Sequence, residues 1–273
     1  MEVIVMINRK YSSIFIAVNF NNANITFDYI KNCYKFGAAI VIIDNGSFEE
    51  DYLKLLNYIK DYPDVFLVKS KKNIGYFKGL NLGLEYIQNN NLVSDFVIIG
   101  NNDLEFEEDF IQKLSEKSIK DDILAIVPDV CTIDGIHQNP HVINRISKLR
   151  KLFFDVFYLN YYVGAGIRKL YLTFKKEKKY EFFDDEITIY MGIGAIYILT
   201  VNFFEKFTKL DAQVFLWGEE ALFANQIASV EGKILYCPDL KVTHLESMST
   251  KKISSRDKYK QMQESYKIFK KYL

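Results

Sequence analysis

Five side chains able to handle protons or cations stand at places where a fold exposes its chemistry: Asp44, Asp103, Glu219, Glu220 and His244. Asp44 closes the β-branched run Ile40 to Ile43 and precedes Asn45-Gly46-Ser47. A strand-end carboxylate there can accept a hydrogen bond from a pyrimidine N–H, or fix its own turn. Asp103 ends Asn101-Asn102-Asp103, behind the apolar run Phe96 to Ile99. One carboxylate beside neutral amides suits Mg²⁺ or Mn²⁺ shared with diphosphate oxygens, and it also suits a loop or cap. Trp217-Gly218-Glu219-Glu220 sets two carboxylates at the start of a helix, where free amides and the dipole favour the ionised form. Such a carboxylate can take a proton from an attacking hydroxyl, although acids are common in first helical turns. His244, within Val242-Thr243-His244-Leu245-Glu246, offers a neutral imidazole as a second ligand for the same cation, or a structural role.

A glycine-spaced segment, Asn73-Ile74-Gly75-Tyr76-Phe77-Lys78-Gly79-Leu80-Asn81-Leu82-Gly83, opens a helix. Its small residues serve either close approach of the backbone to a ligand or tight helix packing. Neither G-x-G-x-x-G nor G-x-x-x-x-G-K-[ST] occurs, which argues against a dinucleotide oxidoreductase and a P-loop nucleotidase. Gly192-Ile193-Gly194 is too short a match to restore the former.

These residues need a scaffold that brings strand ends together. Ile14 to Val18, Ile40 to Ile43, Val65 to Val68, Phe96 to Ile99 and Ile123 to Val127 read as buried strands alternating with amphipathic stretches. That rhythm predicts an α/β fold with a mainly parallel sheet flanked by helices, in which ligands bind beyond the carboxyl ends of the strands. Asn24 is expected to cap the first helix, Gly37 to follow it, and Ser47 with Glu50 to form a capping box. Later in the chain, strands are expected at Ile187 to Met191 and Lys233 to Tyr236, and helices near Glu219 and from Ser255 to Leu273. The sequence divides into a nucleotide half, 1–127, and an acceptor half, 128–273, within one domain. The second half carries a basic, aromatic helical insertion at 145–180.

Composition narrows the function classes. With 49% hydrophobic residues the chain can build a sizeable core. Lys plus Arg and Asp plus Glu are equal at 35 each, so no global basic field recruits nucleic acid, and none is expected as a partner. Cys33, Cys131 and Cys237 are scattered singly, without the spacing of a disulfide framework or thiolate metal site. No segment approaches the roughly 18 apolar residues of a spanning helix. Nor does the N-terminus read as a signal peptide, so a cytoplasmic location is expected. The stretch Arg145 to Lys179 suits either an ordinary helix pair or peripheral contact with the cytoplasmic membrane face.

Taken together, Val18-Asn19-Phe20-Asn21, Asp44-Asn45-Gly46-Ser47, Asn73-Ile74-Gly75-Tyr76, Asn81-Leu82-Gly83, Asn101-Asn102-Asp103 and Trp217-Gly218-Glu219-Glu220 resemble family 2 glycosyltransferases with the GT-A fold, over about residues 13 to 250. Gly135-Ile136-His137-Gln138-Asn139-Pro140 and the segment around His244 and Ser249 are similar to rhamnosyltransferase-like enzymes assembling bacterial capsule, exopolysaccharide or O-antigen. The resemblance implies that Val18, Asn19 and Asp44 contact the base and that Asn73 and Gly75 border the nucleotide. Asn101 and Asn102 would also face the nucleotide, and Asp103 and His244 would hold a divalent Mn²⁺ or Mg²⁺. Family members usually carry Asp where Asn101 stands, and Asn101 brings no charge. The resemblance assigns the base role to Glu220 and a positioning role to Glu219; the two are adjacent and the assignment can be reversed.

The resulting expectation is an inverting, metal-dependent transfer of a sugar from a UDP- or dTDP-sugar to a hydroxyl of a growing, lipid-linked surface polysaccharide. A nucleotidyltransferase is the second enzymatic reading, but the glycine- and arginine-rich phosphate loop it needs near the N-terminus is missing before Asn24. A nucleotide- or glycan-binding module with decayed catalytic parts is the non-enzymatic one, kept open by Asn101.

Overall fold

The computed structural model describes residues 10–174, 183–245 and 255–273. Its core is one mixed sheet of nine strands, ordered β3-β2-β1-β4-β8-β6-β9-β5, with β7 pairing β9. The first half supplies β1 (Lys10–Asn19), β2 (Ala39–Asp44), β3 (Val65–Lys69) and β4 (Val93–Gly100), all mutually parallel. Strand β5 (Leu104–Phe106) lies at the far edge, and β6 (Ile123–Thr132) runs through the centre. The second half adds β7 (Ile187–Ile189), β8 (Ile196–Thr200) and β9 (Lys233–His244). Because β8 inserts antiparallel between β4 and β6, both halves of the sequence share the same sheet.

The apolar runs are unbroken because both faces of the sheet are covered. Along β1, Phe15 and Ala17 join one buried cluster while Ile14 and Ile16 join another, the period-2 alternation of a strand. Helix α1 (Ala23–Tyr34) covers the first face with Tyr29, Ile30 and Cys33. Helix α3 (Tyr76–Asn89) covers the second with Phe77, Leu80, Leu84 and Ile87. Each fully buried apolar side chain of this kind contributes about 1.5–3 kcal/mol. A Cβ on Gly83 would come within 2.3 Å of Ile16 Cγ2, and one on Gly79 within 3.1 Å of Val18 Cγ2. The glycine spacing of α3 at 79 and 83 therefore serves packing against β1.

Helix α2 (Glu49–Tyr58) and the short α4 (Phe110–Ser115) and α7 (Val201–Lys206) complete the layers, and α8 (Glu219–Ala228) carries the acidic pair. Outside them lie α5 (Lys148–Phe157), α6 (Tyr161–Phe174) and α9 (Ser255–Phe269). Phe154 and Tyr158 of the α5 end pack on Tyr266 of α9, and Phe157 on Tyr259. Among the described residues no helix is long and apolar enough to cross a membrane.

Several local expectations are corrected. Asn22, not Asn24, occupies the N-cap position of α1; Asn24 lies inside the helix and accepts from the Tyr58 hydroxyl. Ser47 forms no capping box, because Phe48 takes the N-cap position of α2 and the Ser47 hydroxyl turns toward Asn19 and the Asn21 amide. Strand β7 stops at Ile189, whereas β9 runs past Tyr236 to His244 across a register shift near Pro128. Residues 175–182, the end of the basic stretch, and Glu246 and Ser249 lie outside the described residues.

Candidate active site

Register alone brings the first group of residues to one rim. Asn19 pairs with Asp44 across β1 and β2, and Ala17 with Gly100 across β1 and β4, so all three strands end on the same edge. Asp44 and Asn19 are fully buried. Asn19 Nδ2 lies 3.0 Å from Asp44 Oδ1 and 3.0 Å from Asp51 Oδ2, while the Ser47 amide donates to Asp44 Oδ2 at 3.3 Å. Asn19 Oδ1 accepts from Thr26 Oγ1 at 2.7 Å. The Asn19 side chain is thus committed to the protein, where it fixes Asp44. Val18, half-buried, packs at Gly79.

The two loops that follow β2 and β3 are pressed together. A Cβ on Gly46 would meet the Lys72 and Asn73 backbone at 2.4–2.5 Å. The Asn45 amide donates to Asn73 Oδ1 and the Gly75 carbonyl, and its oxygen accepts from the Ile74 amide. Gly75 has φ +97°, and a Cβ there would lie 2.5 Å from the Phe215 carbonyl oxygen. Glycine is needed at 75 for both reasons. The Tyr76 amide donates to that same carbonyl at 3.1 Å, which ties α3 to the loop leading into Glu219.

Asn101, Asn102 and Asp103 leave β4 and fan out to different partners. Asn102 is buried, and its amide donates to Asn22 Oδ1 and Thr26 Oγ1 at 2.9 and 2.6 Å. Through Thr26 it joins the chain of bonds that reaches Asn19 and Asp44. Asp103 is buried and faces His244: Asp103 Oδ1 and His244 Nε2 are 3.4 Å apart. Asn101 Nδ2 lies 3.3 Å from the same Nε2. The other ring nitrogen, Nδ1, sits 2.8 Å from Gln138 Oε1, an acceptor, so the proton belongs on Nδ1. Nε2 is then the acceptor of the ring, met by the Asn101 amide and close to Asp103, and the ring is held by a bonded partner as in metal-binding histidines. Of this donor set the carboxylate oxygen suits a divalent Mn²⁺ or Mg²⁺, and the imidazole nitrogen favours the softer Mn²⁺ of the two.

The acidic pair opens α8 after Gly218, whose φ is +98°. Glu219 is 4% exposed, and its Oε1 has no hydrogen-bond partner. Burial and then the neighbouring Glu220 push the Glu219 carboxyl up to about 8. Glu220 lies against Gly194, where a Cβ would stand 2.7 Å from its Oε1. Gly192-Ile193-Gly194 thus makes room for an acid. The buried hydroxyl of Tyr76 senses the whole group: desolvation raises its pKa, followed by the charges of Glu219, Asp103 and Glu220. Asp103, in the loop after β4, and Glu219 and Glu220, on α8, therefore all lie near the Tyr76 hydroxyl.

One acidic cluster lies elsewhere. Glu186, Cys237 and Asp239 have ligand atoms within 4.8 Å of one another. Lys117 already bridges the two carboxylates, with Nζ 2.6 Å from Glu186 and a second pair to Asp239, so a cation is present in the form of an ammonium. Of the cysteines, Cys33 and Cys237 are buried, and burial raises both thiols.

Sequence reasoning missed Tyr76 and Gln138 as partners of the site, although both sat inside motifs it had singled out. It also missed Thr26 and Asp51, which lie within α1 and α2 and carry no motif of their own.

The family model described as glycosyl transferase family 2 matches residues 18–195, more than half of the chain. Solved structures resemble it at low identity. GalNAc-T7, crystallised with UDP, GalNAc and Mn²⁺, is 17% identical at a TM-score of 0.58, over 87% of this chain and 44% of that one. The mannosyltransferase PcManGT from Pyrobaculum calidifontis, in complex with GDP-Man and Mn²⁺, is 13% identical at 0.54, over 89% and 59%. TarS 1-349 of S. aureus is 9% identical at 0.54, over 86% and 60%. The chain spans roughly half the length of the structures it matches, and at these identities the likeness shows the shared fold. A search of curated proteins by sequence finds no match.

Proposed function

The chain belongs to glycosyl transferase family 2, and from that premise we propose that it is a metal-dependent, inverting glycosyltransferase. Its donor would be a UDP- or dTDP-sugar and its acceptor a hydroxyl of a growing, lipid-linked bacterial surface polysaccharide. One observation carries the reading: Asp103, paired with His244 at 3.4 Å, and the acids Glu219 and Glu220 all act on the buried hydroxyl of Tyr76, so the two pairs lie close together. A cation-binding pair and an acidic pair near one another suit a reacting centre that both can reach. The Mn²⁺ in the GalNAc-T7 and PcManGT structures supports a divalent cofactor here.

Residues of the first half, 1–127, would hold the nucleotide. Asp44, fixed by Asn19 and the Ser47 amide, accepts from the pyrimidine N–H, with Val18 alongside. Asn73 and Gly75 border the nucleotide, and Asn101 lies beside it. Asn19 and Asn102 act by position, since their amides are engaged within the protein. A divalent cation held by Asp103 and His244 supplies charge neutralisation for the departing diphosphate. The second half, 128–273, would hold the acceptor. Glu219 is held protonated near neutral pH, so of the two adjacent acids Glu220 takes the proton from the acceptor hydroxyl. The hydroxyl oxygen attacks the anomeric carbon as the bond to the diphosphate oxygen breaks on the opposite face, through an oxocarbenium-like state.

The likeness of Gly135-Ile136-His137-Gln138-Asn139-Pro140 to rhamnosyltransferase-like enzymes makes a dTDP-deoxysugar the first donor to test. Gln138 of that segment holds His244. Calorimetric titration of UDP- and dTDP-sugars with and without Mn²⁺ checks the reading. Binding of one donor class that requires the metal is the expected result, and no metal-dependent binding of either class would refute it.

A further inference from the structure

Helix α5 reads Lys-Leu-Arg-Lys-Leu-Phe-Phe-Asp-Val-Phe and contains no fully buried residue. Its inner face is accounted for: Phe154 and Phe157 pack on Tyr266 and Tyr259, and the Gln263 side chain of α9 donates to the carbonyls of Tyr158 and Leu159. Its outer face is not. Leu149, Leu152, Phe153 and Val156 follow the i, i+3, i+4, i+7 spacing of a helical stripe, and they are 80%, 60%, 50% and 45% exposed. Beyond the helix end Leu159 (68%) and Tyr162 (76%) are exposed as well, as are Leu170 and Tyr171 on α6. Four exposed apolar side chains along one face of a helix mark an interaction site.

Charge says what kind. Ten lysines and arginines stand against two acids between Arg145 and Lys179, in a chain whose formal charge is zero. Lys148 and Arg150 are exposed and flank the apolar stripe on α5, and Arg168 and Lys169 are exposed on α6. A second copy of the chain would bring the same positive charge against itself, and an apolar protein groove would gain nothing from it. A bilayer carrying acidic headgroups satisfies both features, with leucine and phenylalanine entering the acyl boundary and the basic residues meeting phosphate.

We propose that the outer face of α5 and α6 is a docking surface for an anionic phospholipid bilayer. This inference rests on the exposed stripe and its charge and goes beyond the catalytic reading; either can fail without the other. Because α9 packs on α5 and also donates from Ser265 to the Leu216 carbonyl just before Glu219, the docked face and the acidic pair belong to one packed unit.

Co-sedimentation of the full chain with vesicles of phosphatidylglycerol and phosphatidylcholine, and with phosphatidylcholine alone, tests it. Binding to the acidic vesicles is expected, weakened by salt and much lower on the neutral ones. Exchanging Lys148, Arg150 and Lys169 for Gln should weaken binding about fivefold per charge removed, and Leu149→Ser with Leu152→Ser and Phe153→Ser should abolish it. All six side chains are exposed, and unchanged metal-dependent donor binding by both variants shows that the site is intact. Recovery of the wild type in the supernatant with acidic vesicles overturns the proposal, as does undiminished binding by the triple serine variant. A wild-type dimer that the serine variant converts to monomer would assign the face to self-association instead.

Discussion

At the rim of β1, β2 and β4, polar side chains are buried and joined, whereas on α5 and α6 apolar side chains are exposed and unjoined. Asn19 alone makes contacts with Asp44, Ser47, Asp51 and Thr26, so its orientation is set several times over. Leu149 and Leu152 make no such commitments and stand 80% and 60% exposed. Buried polar groups are costly unless every one is satisfied, so a rim of this kind is rigid and specific. Exposed apolar groups are the opposite case, a surface whose favourable partner lies outside the chain. The contrast assigns chemistry to the first region and contact to the second, and substitutions in each should differ in what they change.

The largest effect is expected at the acidic pair. Glu220→Gln should lower transfer by about 10²–10⁴-fold, the usual worth of a general base, while the calorimetric affinity for donor stays near wild type. Near-normal transfer by this variant moves the base role elsewhere, with Glu219 the next to test.

The metal pair should respond next, and in binding before rate. Gln138→Ala frees the His244 ring and should lower metal affinity by about 10–100-fold, as loss of a partner that orients a ligand does. Asp103→Ala should lower it further, and with it the metal-dependent part of nucleotide binding. Equal Mn²⁺ dependence in wild type and both variants would remove Asp103 and His244 from the metal site.

A third effect is on stability and depends on pH. The Glu219 carboxyl is raised from 4.5 to about 8 in the folded protein, so between those values the folded state keeps a proton that the unfolded state has lost. Stability should therefore fall as pH rises through that window, and no Glu219 penalty remains below it. Glu219→Gln should flatten this slope in a series of melting curves, with the variant gaining on wild type as pH approaches 8. Parallel curves for the two proteins would mean that Glu219 is not held protonated.

The legible parts of the molecule were those with a period or a motif. Unbroken runs such as Ile40 to Ile43 announced strands covered on both faces, and their ends announced the rim. Strand β8 was overlooked although Ile196 to Thr200 is just such a run, because it follows Gly192-Ile193-Gly194 without the intervening helix that marked the earlier strands. Its antiparallel insertion beside β4 could not be read from a local pattern, since pairing order is set by tertiary contacts. The capping box at Ser47 failed for a related reason: a hydroxyl that could cap a helix found a better use holding Asn19. Within the site, residue types pointed to Asp103, His244 and the acidic pair. The approach of Asp103 and the acidic pair to the Tyr76 hydroxyl, and the bonds that turn Asn19 and Asn102 inward, arise only from folding.

The smallest expected effect cuts most directly at the contrast between the two regions. Leu199, on β8, is fully buried, and replacing it with Ala should cost about 2–5 kcal/mol through lost burial and a residual cavity. Leu152→Ala removes the same atoms from a side chain that is 60% exposed, and its effect on stability should stay within about 0.5 kcal/mol. Denaturant melts of the two variants with equal slopes make the comparison clean, because an altered slope would signal a change in the unfolded state or in cooperativity. A loss at Leu152 approaching that at Leu199 would mean that the outer face of α5 is covered by the chain itself in solution, leaving no apolar surface to offer a bilayer. A loss near zero means that the fold itself does not use the Leu152 side chain, which leaves the outer face of α5 open to a partner outside the chain.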